Sequence, residues 1–424
     1  MFLKSSWPKS FFAALLLTGV LLAAGSNQAW SAPAGPDCIT LTWSGDPRTT
    51  QGITWQTPDP ALDQVQYIIA GPGQDLQSAV KTATAVKEFL PGPATAIHVF
   101  SASLTDLQPG TRYLYRLGNG TAWGEFHSFQ TEASKVTGFT FLVFGDSQSD
   151  TYETWQKTLQ QACQAQPGAA FFTNVGDLVN TGTDINEWQA WFSAAQGVIN
   201  RIPAMPLTGN HEMYTSRWKV NEPPALFTAQ FQLPRNGPAG LTEQVYSFDY
   251  GNVHFVMLDS QEREEKQFIP DMLDRQREWL EQDLARSDKP WKLVFLHRPP
   301  YHNDNIQTAF VPLFDKYQVD VVFSGHEHIY ARTYPLYGGN RAQGPDRGTV
   351  YITAGRSGTK AHDQVAASLW DEVFYNPLDQ PNYLTVQIQD NTLTVKAWKQ
   401  DGTLVDTWQL DKSMSHHKKL ARAD

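Results

Sequence analysis

Hydrophobic and polar positions follow two different periods along this chain. In the N-terminal part, short runs alternate or are rich in β-branched and aromatic residues: "CITLTWSG", "GITWQTP", "QVQYIIAG", "TAIHVFSASL", "RYLYRLG" and "EFHSFQT". Gly, Pro and Asp clusters separate them, the pattern of a β-sandwich. In "LQPGTRYLYRLGNG" a Pro-Gly turn feeds a strand whose Tyr113, Tyr115 and Leu117 share one face. After "TEASKVTG" the period changes. "FTFLVFGD" and "AAFFTNVGD" are continuous apolar runs, as in strands buried on both faces. Trp155, Leu159 and Cys163, then Trp188, Trp191, Phe192 and Ala195, recur at helical spacing. "DRQREWLEQDLARS" predicts a further amphipathic helix ahead of "KPWKLVFLH". Strands alternating with helices predict an α/β domain. "VYSFDYGNVHFVMLDS" and the closing "NYLTVQIQDNTLTVKAWKQDGTLVDTWQL" predict hairpins, so the sheets should be mixed. The expected division is an all-β domain over 37–133, an α/β domain over 137–412 and a tail at 413–424.

Residues 1–34 fit neither pattern. Lys4 and Lys9 precede "FFAALLLTGVLLAAG", and the small residues of "AWSAPAG" follow, as in a cleaved signal peptide. The apolar run is short for a bilayer span. The expectation is a secreted protein, extracellular or periplasmic, without membrane attachment after cleavage. Lys plus Arg number 33 and Asp plus Glu 43, a net charge of −10, which opposes binding to a nucleic-acid backbone. Cys38 and Cys163 are too few for a disulfide scaffold and lack zinc-knuckle spacing. Export permits a disulfide, and their pairing is open, as is the oligomeric state.

The candidate chemistry lies where apolar runs stop. "FTFLVF" ends in Gly145-Asp146, "AAFFTNV" in Gly176-Asp177 and "IPAMPLT" in Gly209-Asn210-His211-Glu212. "KLVFL" ends in His297 and "VDVVFS" in Gly325-His326-Glu327-His328. In α/β sheets, ligands bind outside the carboxyl ends of the strands, so these ends predict one shared cluster. Mixed His, Asp and Asn donors suit zinc, manganese or iron. Two aspartates, an asparagine and three histidines exceed what one tetrahedral ion takes. They suit two ions sharing a bridging carboxylate, and the preceding glycines allow close backbone approach. Singly, each residue has a plainer role: Asp146 as a turn former, His297 as a core histidine, Glu212 as a helix cap. His254, His98 and His127 keep such structural roles, because nothing groups them with the strand ends.

The series "GD", "GDLVN", "GNHE", "VFLH" and "GHEH" resembles the calcineurin-like metallophosphoesterase superfamily. With "LQPGTRYLYRLG", "REWLEQDLARSDKPW", "HRPPY", "HIYART" and the closing hairpins, the chain more closely resembles the purple acid phosphatase branch, whose N-terminal domain is fibronectin type III-like. The resemblance spans nearly all of the chain beyond the leader. It implies a four-layer α/β/β/α sandwich with a two-metal centre. Asp177 would bridge the ions, Asp146 and His328 would bind the first, and Asn210, His297 and His326 the second. His211 would contact phosphate or the leaving group, aided in protonating it by Glu212 or His302. Two positions depart from the pattern. Asn180 stands three residues after Asp177, where the branch carries the Tyr that ligates ferric iron. Gln148 stands where the purple enzymes have Gly and the wider superfamily often a ligating His. Both amides are candidate ligands, and the ions expected are Fe, Zn or Mn. The implied function is hydrolysis of small phosphate monoesters by metal-activated water. A phosphodiesterase or nucleotide hydrolase on the same metals is the alternative, and a non-catalytic secreted binding protein is the rival from another class. The loops 214–244 and 355–377, the latter with His362, should carry specificity.

Overall fold

The computed structural model describes residues 35–71, 80–89, 97–342 and 348–413, so the expected leader and all but Ser413 of the tail lie outside the described residues. The alternating N-terminal runs become strands β1 (Asp37–Thr42), β2 (Gln51–Thr57), β3 (Gln64–Ile69), β4 (Lys81–Thr84), β5 (Lys87–Phe89), β6 (His98–Leu104), β7 (Arg112–Gly118) and β8 (His127–Gln130). They form two antiparallel sheets, β1-β2-β6-β5 and β4-β3-β7-β8. Leu41, Ile53, Trp55, Val65, Phe100, Tyr115 and Phe129 fill the space between them. Strands β4 and β5 have no counterpart among the predicted runs. Both are short edge strands, and β4 is mostly exposed, so it carries little apolar signal.

Beyond them run β9 (Gly138–Phe144), α1 (Glu153–Ala165), β10 (Ala169–Asn174), α2 (Ile185–Ala195), α3 (Ala225–Gln230), β11 (Tyr246–Tyr250), β12 (Val253–Met257), α4 (Glu262–Glu265), α5 (Met272–Arg286), β13 (Trp291–Phe295), α6 (Asp304–Tyr317) and β14 (Val321–Ser324). The remainder is β: β15 (Tyr330–Thr333), β16 (Leu336–Tyr337), β17 (Asn340–Arg341), β18 (Val350–Ala354), β19 (Asp371–Tyr375), β20 (Asn382–Gln389), β21 (Thr392–Lys399) and β22 (Leu404–Asp411). A five-stranded sheet, β10-β9-β20-β21-β22, lies against a seven-stranded sheet, β11-β12-β13-β14-β18-β15-β19. Aromatic rings join the sheets: Phe141 and Phe171 each meet Phe255 with centroids 5.3 Å apart. Outside the first sheet, Trp155 of α1 packs on Phe144 at 5.1 Å and stacks on Trp191 of α2 at 5.4 Å. Outside the second, Leu280 and Leu284 of α5 and Phe310 and Phe314 of α6 cover Val256, Val294 and Val322. The layers are therefore α/β/β/α, preceded by a β-sandwich. Strand β13 shows why such runs are continuously apolar: Leu293 and Phe295 face the partner sheet, while Val294 faces the helices.

Elements of the layered part also differ from the sequence expectation. "IPAMPLT" is not a strand. It runs beside β10, with Phe172 N donating to Pro203 O (3.0 Å) and Leu207 N to Asn174 O (3.1 Å), but it forms only an isolated bridge at Ala204. Pro203 and Pro206 lack the N–H a continuous ladder needs. Helix α6 is the second surprise. Pro312 sits inside it, while Asn303 caps it by accepting from Ile306 N at 3.3 Å.

Strands β12, β13, β14 and β18 are mutually parallel, as are β9 and β10, so each set ends along one edge. The sandwich is tied to the layers behind it. Leu41 N donates to Ile199 O at 2.9 Å, Tyr115 Oη donates to Asn200 O at 2.8 Å, and Trp43 stacks on Tyr250 at 5.4 Å. The described residues from Gly35 onward accordingly belong to one compact unit. Cys38 and Cys163 are both free thiols. Among the described residues no helix is long and apolar enough to cross a membrane.

Candidate metal centre

Each strand that ends along the common edge hands its polar residues to a short loop, and three residues there adopt left-handed backbone: Asp177 (φ 53°), His326 (φ 71°) and His328 (φ 55°). Such conformations disfavour side-chain-bearing residues and need external support. Glu212 provides it for the β10 loop. Its carboxylate accepts from Gly209 N (2.6 Å), Asp177 N (2.9 Å) and Leu178 N (2.8 Å). Asp177 Oδ1 accepts in turn from His211 N at 2.9 Å, and Asp146 Oδ2 accepts from His326 N at 3.0 Å. Close approach explains two of the glycines. A Cβ on Gly209 would lie 2.2 Å from Asp177 Oδ1, and one on Gly325 would lie 2.7 Å from Asp146 Oδ2.

The supported side chains converge as two groups, Asp177-His297-His326 and Asp146-Asp177-His328. Within each group one donor atom per residue lies within 4.8 Å of the others, and Asp177 belongs to both. His297 Nε2 is 3.1 Å from Asp177 Oδ2, 3.2 Å from Asn210 Oδ1 and 3.2 Å from His326 Nδ1. His328 Nε2 is 3.3 Å from Asp146 Oδ1. Donors about 2.1 Å from a shared tetrahedral ion stand about 3.4 Å apart, so this spacing matches the edges of a coordination shell. Val175 O accepts from His297 Nδ1 at 2.8 Å, which aims Nε2 at the cluster.

The electrostatics also suit cations. Burial opposes charge on His297, yet Asp177 and Asp146 push its pKa up to about 9. Burial and the adjoining His297 push His326 down to about 3. The carboxylates that favour positive charge on His297 would equally favour a metal ion beside it. Beside these donors, the buried Asn180 Oδ1 has no hydrogen-bond partner. An orphaned acceptor and a converging N/O donor set fit metal ions.

The six donors read from strand ends are brought together; the other expected residues divide. His211 donates from Nδ1 to Asn180 O at 2.7 Å, leaving Nε2 for another partner. Glu212, expected to aid proton transfer, is about 1% exposed, and its oxygens accept from backbone N–H groups. His302 is likewise engaged elsewhere. Its Nδ1 lies 3.3 Å from Glu327 Oε1, its Nε2 lies 3.4 Å from Ser368 Oγ, and its ring sits against Trp370. Gln148 reaches the cluster through its amide nitrogen, 3.2 Å from His328 Nε2, because its Oε1 accepts from Lys360 Nζ at 3.2 Å. The amide oxygen expected to face the first metal position therefore faces Lys360. Asn180 Nδ2 donates to Ser149 O at 2.7 Å. His362 stacks on His328, with centroids 4.0 Å apart and planes 9° apart. Lys360 and Trp218 also reach the site: Nζ lies 5.6 Å from the Trp218 ring centroid, and that ring is 5.2 Å from His211. Sequence patterning does not single them out, because a Lys or Trp in a loop carries no periodicity.

Known proteins are similar to both regions of the chain. Residues 139–330 match the calcineurin-like phosphoesterase family, and residues 36–131 match the purple acid phosphatase N-terminal domain. Acid phosphatase type 7 of Mus musculus is 26% identical over 360 residues, covering 76% of this chain and 78% of its own. Purple acid phosphatase 21 of Arabidopsis thaliana is 31% identical over 267 residues, covering 60% of this chain and 57% of its own. The structure of a purple acid phosphatase from yellow lupin (Lupinus luteus) seeds superposes with a TM-score of 0.74 at 18% identity, covering 90% of this chain and 75% of that one.

Proposed function

Since the chain is a purple acid phosphatase-like metallophosphoesterase, we propose that it is a secreted phosphatase hydrolysing phosphate monoesters at a pair of metal ions. The reading rests on one observation: Asp177 is common to two donor groups that are otherwise separate. Asp146 and His328 would complete the first position, and Asn210, His297 and His326 the second. Bound there, the ions supply Lewis-acid stabilisation of phosphoryl charge and a water acidified for attack. The donors suit Fe, Zn or Mn. Asn180 offers no phenolate, so a tyrosinate–iron centre is not part of the proposal.

The chain's own residues do the rest. Glu212 holds the Asp177 and Gly209 backbone in register, and Val175 O fixes the His297 ring. As the water oxygen bonds to phosphorus and the ester P–O bond breaks, His211 Nε2 gives a proton to the departing alkoxide. Its Nδ1–H, held by Asn180 O, keeps the ring oriented for that transfer. Export is part of the same reading, with residues 1–34 as the leader, 37–133 as the sandwich, 137–412 as the catalytic domain and 413–424 as a tail.

The test couples metal content to turnover. Asp177→Asn and His326→Ala should each lower kcat/KM on a chromogenic monoester by more than about a hundredfold, beyond the usual effect of losing a merely supporting partner. Each should also reduce bound metal. Full activity in either variant would show that the centre lies elsewhere.

A further inference from the structure

Resting on the phosphatase reading, we infer that Lys360 and Trp218 form a substrate clamp: the Lys360 ammonium takes a non-bridging oxygen of a dianionic phosphoryl group, and the Trp218 indole stacks a planar leaving group. The two come from different loops and meet beside the candidate proton donor. Lys360 Nζ is 3.2 Å from Gln148 Oε1, and Gln148 Nε2 is 3.2 Å from His328 Nε2, so the cation stands one amide away from the metal donors. The Trp218 ring lies against that cation and against the His211 ring.

Lys360 holds a charge that nothing in contact neutralises. Its hydrogen-bond partner is a neutral amide, and among the described residues it forms no ion pair. Nearby cations are already committed. Arg298 pairs twice with Glu264, at 2.7 and 2.9 Å, and Arg356 donates to the carbonyls of Pro377 and Gly358. Burial lowers the Lys360 pKa, while Asp177 and Asp146 act on it in the opposite sense, which places it in the field of the metal-binding carboxylates. A phosphate monoester, with its second pKa near 6, carries nearly two negative charges at neutral pH, and a diester carries one. A lone ammonium at this position favours the former.

Trp218 is 64% exposed and held at φ 56°, both costly for a large aromatic residue. A tight turn keeps it there: Trp218 N donates to Thr215 O and Thr215 N to Lys219 O, each at 2.9 Å. The indole therefore stands as a fixed wall beside His211, where a leaving group receives its proton. An aromatic wall there selects flat leaving groups by stacking.

The experiment measures kcat/KM on phenyl phosphate, glycerol phosphate and diphenyl phosphate for the metal-loaded wild type, Lys360→Met, Lys360→Arg, Trp218→Ala and Trp218→Phe. Metal content is recorded for each. Lys360→Met should cut phenyl phosphate turnover about tenfold or more, chiefly through KM. It should cut diphenyl phosphate turnover much less and weaken inhibition by inorganic phosphate, with Lys360→Arg recovering most of the loss. Trp218→Ala should lower kcat/KM for phenyl phosphate about fivefold more than for glycerol phosphate, with Trp218→Phe intermediate. Equal losses on all substrates, or none, would overturn the clamp while leaving the phosphatase reading intact. A metal-loaded wild type that hydrolyses none of the three would overturn both.

Discussion

Glu212 illustrates how far a motif reaches. "GNHE" identifies a carboxylate beside the donors, but only its contacts with Gly209, Asp177 and Leu178 N–H groups show that it clasps the backbone. Gln148 is similar: its amide is turned by Lys360, 212 residues away in the chain, a distance no local pattern spans. His254, read as structural, is buried between Asp249 and Asp283, each at 2.8 Å. Burial alone would lower its pKa, but the two carboxylates raise it to about 9. A folded-state pKa above the ordinary value of about 6.5 stabilises fully below that value, and the contribution fades as pH rises through about 9. Its size is on the order of 2–3 kcal/mol. Urea unfolding at pH 6 and pH 9.5 should therefore show a loss in wild type that His254→Gln does not share. Parallel behaviour of the two proteins would refute the assignment.

Helices α1, α2 and α5 are legible because their apolar residues repeat at helical spacing, and the β11–β12 hairpin because Gly251-Asn252 separates two apolar runs. Helix α6 hides behind Pro312, and its helical state rests on Phe310, Leu313 and Phe314 packing under the seven-stranded sheet. Strand β18 is likewise unannounced, yet it sits between β14 and β15. Local signals do fix helix ends. Asp184 starts α2 by accepting from Asn186 N at 2.9 Å, and α2 carries Trp191, whose Nε1 donates to Ser147 Oγ beside Asp146. Asp184→Ala should cost about 1 kcal/mol in chemical denaturation and leave metal content unchanged. A cost indistinguishable from zero would mean that tertiary packing alone sets this helix start.

Joining of the sandwich to the layered part depends on few side chains. Trp43 is 1% exposed and lies against Phe171, Phe248 and Tyr250, so a residue of the first region completes the core of the second. Trp43→Ala should lower stability by about 3–5 kcal/mol, the range for emptying a buried aromatic site. It should also separate the unfolding of the two parts, which in wild type should coincide when followed by tryptophan fluorescence and by activity. A single unshifted transition in the variant would show that the backbone bonds at Leu41 suffice.

Residue order alone established the alternation of strands with helices, the change of period near residue 135, and the presence of Asp, Asn and His donors directly after apolar runs. Those features are local: side-chain period and turn chemistry act over a few residues. Convergence is not local. That Asp177 serves both donor groups, that "IPAMPLT" runs beside β10 without joining it as a strand, and that Lys360 reaches Gln148 all follow from pairing within the two sheets and packing between them, among segments far apart in the chain. Pairing and packing choose among loop conformations that the same residues could adopt in other folds, and only the assembled sheets make that choice.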